Sequence, residues 1–307
     1  ETNAQDPGMK LAALRRVYQK CISIAVDGLD EFYREYVALE KAISEHLAEQ
    51  LLPELTEKYT EAKLIYKERK RLYSALNVNM LARNCHSASW GNRDVGELEQ
   101  LGHWTRYIRY EMRMGSSSNS SSTGSDSATG GGMDAHQHKL LMCLVFEQCL
   151  CCFRYYSEIW LAYCNYSKAT NATQSVLGIR ALFREAISIQ PTCAVLRIAW
   201  AEVEEEFGNV EISRDILKQS YESTLTPIAF GALQRFIYKK DGKTAARKCF
   251  SETLPLRMDG SLGVEVYLMH AELELNLNGD AETALKILQY AQKQCQERSN
   301  SGSGGNN

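Results

Sequence analysis

Proline is scarce in this chain: five residues in 307. Pro191, Pro227 and Pro255 fall at breaks between apolar periodic stretches, where a missing N–H is tolerated. No stretch alternates apolar and polar residues as a half-buried strand must. The missing alternation leaves no strand pattern to compete with a helical reading. Positive charge is not in excess either. Lys and Arg number 35 against 38 Asp and Glu, a net charge of −3, which excludes a strongly basic nucleic-acid binder but leaves room for a local basic patch. The longest apolar run, Leu140 to Phe153, is interrupted by Glu147 and Gln148 and is too short to span a bilayer. No membrane partner is expected. Catalytic signatures are missing as well. There is no Gly-rich phosphate loop, no H-E-x-x-H and no nucleophile motif, and the six His residues are scattered. The sequence therefore predicts no enzyme, no catalytic residue and no cofactor. His270 lies on an apolar helical stripe and is expected to be a satisfied structural residue.

Cysteine is plentiful, ten residues, but not in a disulfide or metal pattern. Most lie inside predicted helices, and Cys21 and Cys149 occupy the position held by Ala186 and Ala291 in related segments. They read as small buried apolar residues of a reducing compartment. Cys143, Cys149, Cys151 and Cys152 follow His136 and His138, yet paired C-x2-C spacing on turns is absent, so no metal site is expected.

What the chain does have is repetition. A compact box, aliphatic-aromatic-x2-small-aliphatic, occurs at Val17-Tyr18-x2-Cys21-Ile22, Val145-Phe146-x2-Cys149-Leu150 and Leu182-Phe183-x2-Ala186-Ile187. Looser copies stand at Leu72-Tyr73, Ile216-Leu217, Cys249-Phe250 and Ile287-Leu288. From Phe146 the second box residues step through Phe183, Leu217, Phe250 and Leu288 at spacings of 37, 34, 33 and 38 residues. A period in that range marks a solenoid of helix pairs, in which no repeat buries its apolar face alone.

A second box interleaves with the first. It reads aromatic-x2-aromatic-x2-apolar, often closed by Glu: Tyr33, Tyr36, Leu39, Glu40; Trp104, Tyr107, Tyr110, Glu111; Trp160, Tyr163, Tyr166. Weaker copies are Arg197, Trp200, Val203, Glu204 and Phe230, Leu233, Phe236. Residues three apart share a helix face, so each box is an apolar stripe. The Glu, seven residues after the first aromatic, returns to nearly the same angle and needs a partner once buried. An Arg on the paired helix is the expected partner, with Arg15, Arg184 and Arg247 as candidates. Helices with the aromatic box are called A, those with the compact box B. Trp104 and Trp160 are expected to be packing residues.

Along the chain, residues 1–8 read as a loose lead-in to a chain that opens inside a repeat, with no signal-peptide pattern at Glu1. A B helix is expected over Met9 to Ile24 and an A helix over Leu29 to His46. A long helical stretch follows to Asn77, with Pro53 kinking it or marking its start. Its second half carries Lys58, Lys63, Lys67, Arg69, Lys70 and Arg71 against Glu57, Glu61 and Glu68. This is either a solvated face with i,i+4 pairs or a patch for RNA phosphate or an acidic partner. The candidate site residues are Lys63, Lys67, Arg69, Lys70 and Arg71. Residues 78–97 form a polar connection. Gly115 to Asp134 is almost all Ser, Gly, Thr and Asn and predicts a disordered insertion between an A helix and its B partner.

The two boxes resemble HAT (half-a-tetratricopeptide) repeats, which occur mainly in RNA-processing proteins. Phe32-Tyr33-Arg34-Glu35-Tyr36, Leu39-Glu40, Glu45-His46-Leu47-Ala48 and Tyr59-x2-Ala62-Lys63 are similar to the suppressor-of-forked family, the large HAT subunit of cleavage stimulation factor. His103-Trp104-x2-Tyr107-Ile108-x-Tyr110-Glu111, Phe146-Glu147-Gln148-Cys149-Leu150 and Ile159-Trp160 continue the resemblance in order. It covers roughly residues 9–297 and weakens after Leu196; Glu is absent at Ser167 and Ile237.

The resemblance implies an all-α, right-handed superhelical solenoid of HAT (TPR-like) helix pairs. It divides into an N-terminal part over 9–190, the start of a C-terminal part over 191–298 and a flexible tail over 299–307. It further implies a nuclear, non-catalytic scaffold in pre-mRNA 3′-end cleavage and polyadenylation. Its partners would be other subunits of that machinery and pre-mRNA, with a homodimer where the full C-terminal HAT half is present. The chain is expected to stop before the last repeats and the family's Pro-rich partner-binding tail. A HAT scaffold of the spliceosome or of ribosomal RNA processing is the alternative. Deleting Gly115–Asp134 behind a short linker is expected to leave the helical circular-dichroism signal per folded residue unchanged.

Overall fold

In the computed structural model the described residues are 7–83, 95–118, 135–171, 176–253 and 264–302. Among them the chain forms thirteen α-helices and no strand: α1 (Pro7–Ser23), α2 (Leu29–Ile43), α3 (Glu45–Ser74), α4 (Val95–Ser118), α5 (Ala135–Phe153), α6 (Ser157–Asn171), α7 (Val176–Ile189), α8 (Ala194–Glu206), α9 (Val210–Thr224), α10 (Pro227–Asp241), α11 (Lys243–Thr253), α12 (Val264–Asn276) and α13 (Ala281–Gly302). Helices α2, α4, α6, α8 and α10 carry the aromatic box and the odd-numbered helices the compact box, so the expected alternation holds; α12 takes the same place with Tyr267, His270, Leu273 and Glu274 at the box spacing. The fold is an all-α repeat of helix pairs.

The chain divides into two compact units, Glu1–Arg154 and Tyr155–Asn307. In the first, α1, α2 and α3 pack on one another, α3 touches α4, and α4 pairs with α5. In the second, each A helix packs against the next, α6 on α8, α8 on α10 and α10 on α12, with α7, α9, α11 and α13 beside them. The sequence boundary at 190/191 rests on repeat character, a different criterion from compactness.

Local chemistry sets the helix ends. The extended backbone of Ser44 separates α2 from α3, and its side chain accepts from the Leu47 N–H as an N-cap. The A helix thus ends at Ile43, short of His46. Pro53 lies inside α3 and does not mark its start; Ser44 does. Thr226 caps α10 by accepting from the Ala229 N–H, and Pro227 occupies the first turn, where no N–H is needed. Gly208, Gly242 and Gly279 have positive φ after α8, α10 and α12, turning each A helix into its B partner. Helix α4 continues to Ser118, so Gly115–Ser118 of the Ser/Gly segment is helical, while 119–134 lies outside the described residues. Likewise α13 reaches Gly302, into the expected tail, and residues 1–6 and Pro255 lie outside the description.

The boxes supply the core. Tyr36, Trp104, Tyr107, Trp160, Tyr163, Phe230 and Phe236 of the A boxes are buried, as are Phe146, Phe183, Leu217 and Phe250 of the B boxes. In the second unit Phe230, Leu233 and Phe236 pack with Ile216, Leu217, Phe250 and Val266, fusing successive pairs into one apolar body. Val17, Tyr73 and Leu288 are box residues that stay exposed. For Leu288 the neighbourhood matters: α13 packs chiefly on α12.

Trp104 is fully enclosed and meets Tyr107 edge-on at 6.5 Å. Trp104→Ala is expected to cost about 3–5 kcal/mol through the cavity it leaves. Because repeat proteins lose structure piecewise, hydrogen exchange should accelerate in α4 and α5 while α8–α12 keep their protection. Unchanged exchange in α4 would contradict the packing role.

Candidate functional site

The buried glutamates of the A boxes come first, because they decide what the basic residues are doing. Glu40, Glu111, Glu204 and Glu274 are each at most 1% exposed. Each meets one arginine side-on with two hydrogen bonds. Arg15 reaches Glu40 at 2.7 and 2.6 Å, and Arg69 reaches Glu111 at 2.6 and 2.9 Å. Arg180 reaches Glu204 at 2.6 and 2.7 Å, and Arg247 reaches Glu274 at 2.7 and 2.6 Å. A planar guanidinium fork matches a carboxylate in this way and no other side chain does. Each arginine sits on a B helix and each glutamate on the A helix that follows, so every tie joins one helix pair to the next.

Arg15 and Arg247 are the partners expected from sequence. Arg184 is not: Arg180, one turn earlier on α7, holds Glu204. The register explains it. Arg15, Arg180 and Arg247 each stand three residues before the compact-box aromatic (Tyr18, Phe183, Phe250), on the face turned toward the next A helix. Arg184 follows Phe183 directly and points elsewhere.

Extra donors complete two of the ties. The Trp200 indole N–H donates to Glu204 at 3.0 Å, and Asn209 donates to its other oxygen at 2.9 Å. Asn278 donates to Glu274 at 2.8 Å, and Arg247 also reaches Asp280 at 2.9 Å. Arg180 first of all, with Trp200 and Asn209, holds the Glu204 carboxyl below its ordinary range against the opposing effect of burial. For Glu40 and Glu274 burial is the largest single influence and pushes upward. The hydrogen bonds from Arg15 and Tyr36, and from Arg247 and Asn278, together outweigh it and leave both carboxyls lowered.

His270 belongs to the same layer. It is buried, stacks on Phe250 with ring centres 3.7 Å apart, and shares a short contact with Gln234. The Gln234 amide nitrogen can only donate, so the His270 Nδ1 accepts and the proton sits on Nε2, 3.8 Å from Glu274. Burial above all lowers its pKa to about 4. This is the satisfied structural histidine that the sequence predicts.

The candidate patch on α3 is largely occupied by the chain itself. Arg69 is enclosed in the Glu111 tie and also donates to the Ala25 carbonyl at 3.3 Å. Lys63 pairs with Asp30 at 2.8 Å beside the Tyr59 hydroxyl, which itself donates to Asp30 at 2.6 Å. Tyr66 donates to Asp27 at 2.6 Å, and Lys70 donates to Tyr66 at 3.2 Å. Arg71 forms a two-pronged pair with Glu68 on its own helix at 2.9 and 2.6 Å. Lys67 is exposed and makes no ion pair among the described residues. The face thus pins α3 to the turn before α2 and to its first turn. Tyr59, Lys63, Tyr66 and Lys70 repeat at helical spacing, a sequence signal for this clasp that the charge count alone misses.

The cysteines of α5 do not gather around a common point. Cys149 and Cys152 are buried; Cys152 donates weakly to the Asn77 and Val78 carbonyls, both at 3.7 Å. Burial pushes the Cys149 thiol far up. Among the described residues no group of three or more His, Cys, Asp or Glu could hold a metal ion, and no helix is long and apolar enough to cross a membrane.

Alternating A and B helices, fused by box residues and tied by buried Arg–Glu pairs, define a HAT-type helical repeat protein. The chain belongs to the suppressor of forked family, whose model, Suppressor of forked protein (Suf), matches residues 2–300. It is 24% identical over 281 residues to cleavage stimulation factor subunit 77 of Arabidopsis thaliana, covering 92% of this chain and 35% of that protein. It is 22% identical over 320 residues to the mRNA 3′-end-processing protein RNA14 of Eremothecium gossypii, covering 95% and 44%. The crystal structure of CstF-77 superposes with a TM-score of 0.59 at 16% identity, over 94% of this chain and 54% of that one. The chain therefore spans less than half the length of these two curated relatives.

Breaking a tie from one side leaves a buried charge unpaired. Arg180→Met is expected to destabilise the second unit by about 3 kcal/mol, and Arg180→Met/Glu204→Leu to restore most of that, as measured by urea unfolding. Equal losses in the single and double variants would deny the tie its role.

The pH dependence has two parts with the same sign. His270 titrates at about 4 when folded and near 6.5 when unfolded, so its contribution is complete above about pH 6.5 and falls as pH drops toward 4. The lowered Glu40, Glu204 and Glu274 contribute above the unfolded carboxylate range and lose that contribution as pH falls through their folded values. His270→Gln should flatten the pH 6.5–4 part of the melting-temperature profile and leave the steeper acid fall in place.

Proposed function

We propose that this chain is part of a non-catalytic scaffold in nuclear pre-mRNA 3′-end cleavage and polyadenylation, where it holds other subunits of the machinery. The observation that carries this reading is the suppressor of forked match across residues 2–300, coupled with a fold in which Glu40, Glu111, Glu204 and Glu274 are each committed to holding helices together. Supporting it are relatives named for cleavage stimulation and mRNA 3′-end processing. Five buried ionisable side chains serve architecture: Glu40, Glu111, Glu204 and Glu274 are paired with arginines, and His270 is held by Gln234 and Phe250. A surface, not an enclosed site, is what this arrangement offers.

Pre-mRNA contact through α3, if made, uses Lys67, Lys70 and Arg71, which remain exposed, together with the half-exposed Lys63; Arg69 is enclosed. A homodimer is proposed only where a full C-terminal HAT half is present.

Affinity capture from nuclear extract with the tagged chain is expected to enrich cleavage and polyadenylation subunits. Enrichment of spliceosomal or nucleolar processing factors in their place would overturn the assignment. Lys67→Glu/Lys70→Glu/Arg71→Glu should abolish any salt-sensitive RNA binding that runs through α3. RNA binding unaltered in that variant would remove α3 as the RNA face.

A further inference from the structure

The A helices of the second unit leave one face open, and two adjoining clefts lie on it. The first, about 320 Å³, runs between α8 and α10, with Ile198, Ile228 and Ala232 on its apolar side and Leu217 of α9 beneath. Glu202 and Glu205 of α8 line its polar side. The second, about 450 Å³, lies between α10 and α12 and is lined by Glu272, Leu273 and Leu277. Arg235 and Lys239 line both clefts and form the ridge between them.

Charge alternates across this face: acidic on α8, basic on α10, acidic on α12. The charges are not used up internally. Arg235 is 68% exposed and approaches Glu272 only at 3.9 Å. Glu202 is exposed and has no ion pair among the described residues. Lys239 does meet Glu205 at 2.7 Å, but Lys240 meets the same carboxylate at 2.8 Å, so Lys239 can leave without stranding Glu205.

We propose that this face binds an amphipathic helix of a protein partner, lying across α8, α10 and α12. That helix presents a basic, an acidic and a basic residue at seven-residue intervals beside an apolar stripe. The spacing selects the helix. Packed neighbouring helices lie about 8–10 Å apart. Residues seven apart on a helix share a face and are about 10 Å apart at 1.5 Å per residue. An extended strand covers the same distance in three residues, and three residues bring the next side chain to the opposite face. The apolar stripe fills the side of the cleft formed by Ile198, Ile228 and Ala232, while the charges sit over Glu202, Arg235 and Glu272. This proposal rests on the scaffold reading and names the chemistry of one partner segment.

The test uses two synthetic 24-residue helical peptides and the whole 307-residue chain, with binding read by fluorescence anisotropy. One peptide carries Lys-x6-Glu-x6-Lys beside a Leu/Ile stripe; the other exchanges the signs. The matched peptide is expected to bind at least about ten-fold tighter, and Arg235→Glu/Lys239→Glu should remove most of that preference. Both substituted residues are exposed, and unchanged circular dichroism confirms that the variant is folded. Equal binding of both peptides, or a preference unmoved by the double variant, overturns the proposal. So does displacement of the matched peptide by oligouridylate that the same variant abolishes, since the ridge would then be reading phosphate. If polyadenylation subunits are still captured while the peptide preference is absent, this surface fails and the scaffold reading stands.

Discussion

A carboxylate inside an apolar helix stack costs several kcal/mol unless a well-placed cation meets it. This chain places four such carboxylates, Glu40, Glu111, Glu204 and Glu274, and meets each with an arginine fork from the preceding helix. The rest of the architecture depends on that pairing. An apolar stripe tolerates a slide of one helical turn with modest loss; two parallel hydrogen bonds to a buried carboxylate do not. The ties therefore fix the register between successive pairs, and the aromatic boxes fill the space that register defines.

The steps that lack a tie support this view. At the α9–α10 step, Arg214 keeps its place three residues before Leu217, but Ile237 replaces the glutamate. Arg214 reaches one turn further, to Asp241, at 2.6 and 3.1 Å. That pair is partly exposed and sits at the helix end, where desolvation is cheaper and the carboxylate less dependent on its partner. In the α5–α6 sequence both members are missing together, with Cys143 and Ser167 at the two positions. There the arginine and the glutamate are absent together, whereas the arginine kept at the α9–α10 step has found another carboxylate, as expected when a buried charge alone would be unpaired.

The same logic divides the charged surface into used and unused parts. The basic face of α3 looks like a binding patch by composition, yet its cations answer Asp30, Glu111, Glu68 and the tyrosines beside Asp27. The open face of α8, α10 and α12 is less charged by count but holds its charges more loosely, at alternating sign over apolar clefts. Availability for a partner follows from what each charge already satisfies, and not from how many charges are present.

The sequence by itself determined the all-α repeat, the alternation of helix types and the burial of the boxes, because a 3.6-residue period and a repeat of 33 to 38 residues are one-dimensional signals. It located Glu40 as a carboxylate in need of a cation and named Arg15 and Arg247 correctly. It also marked His270 as structural. Only the tertiary structure decided that Arg180 rather than Arg184 holds Glu204, and that Arg69 belongs to Glu111 across 42 residues of chain. It also decided that Lys63 is engaged with Asp30, and that Glu202, Arg235 and Glu272 of three A helices line two adjoining clefts. The physical reason is common to all of these. Which side of a helix faces its neighbour depends on the angle at which two helices pack, and a turn of error in that angle moves a side chain from a buried tie to open solvent.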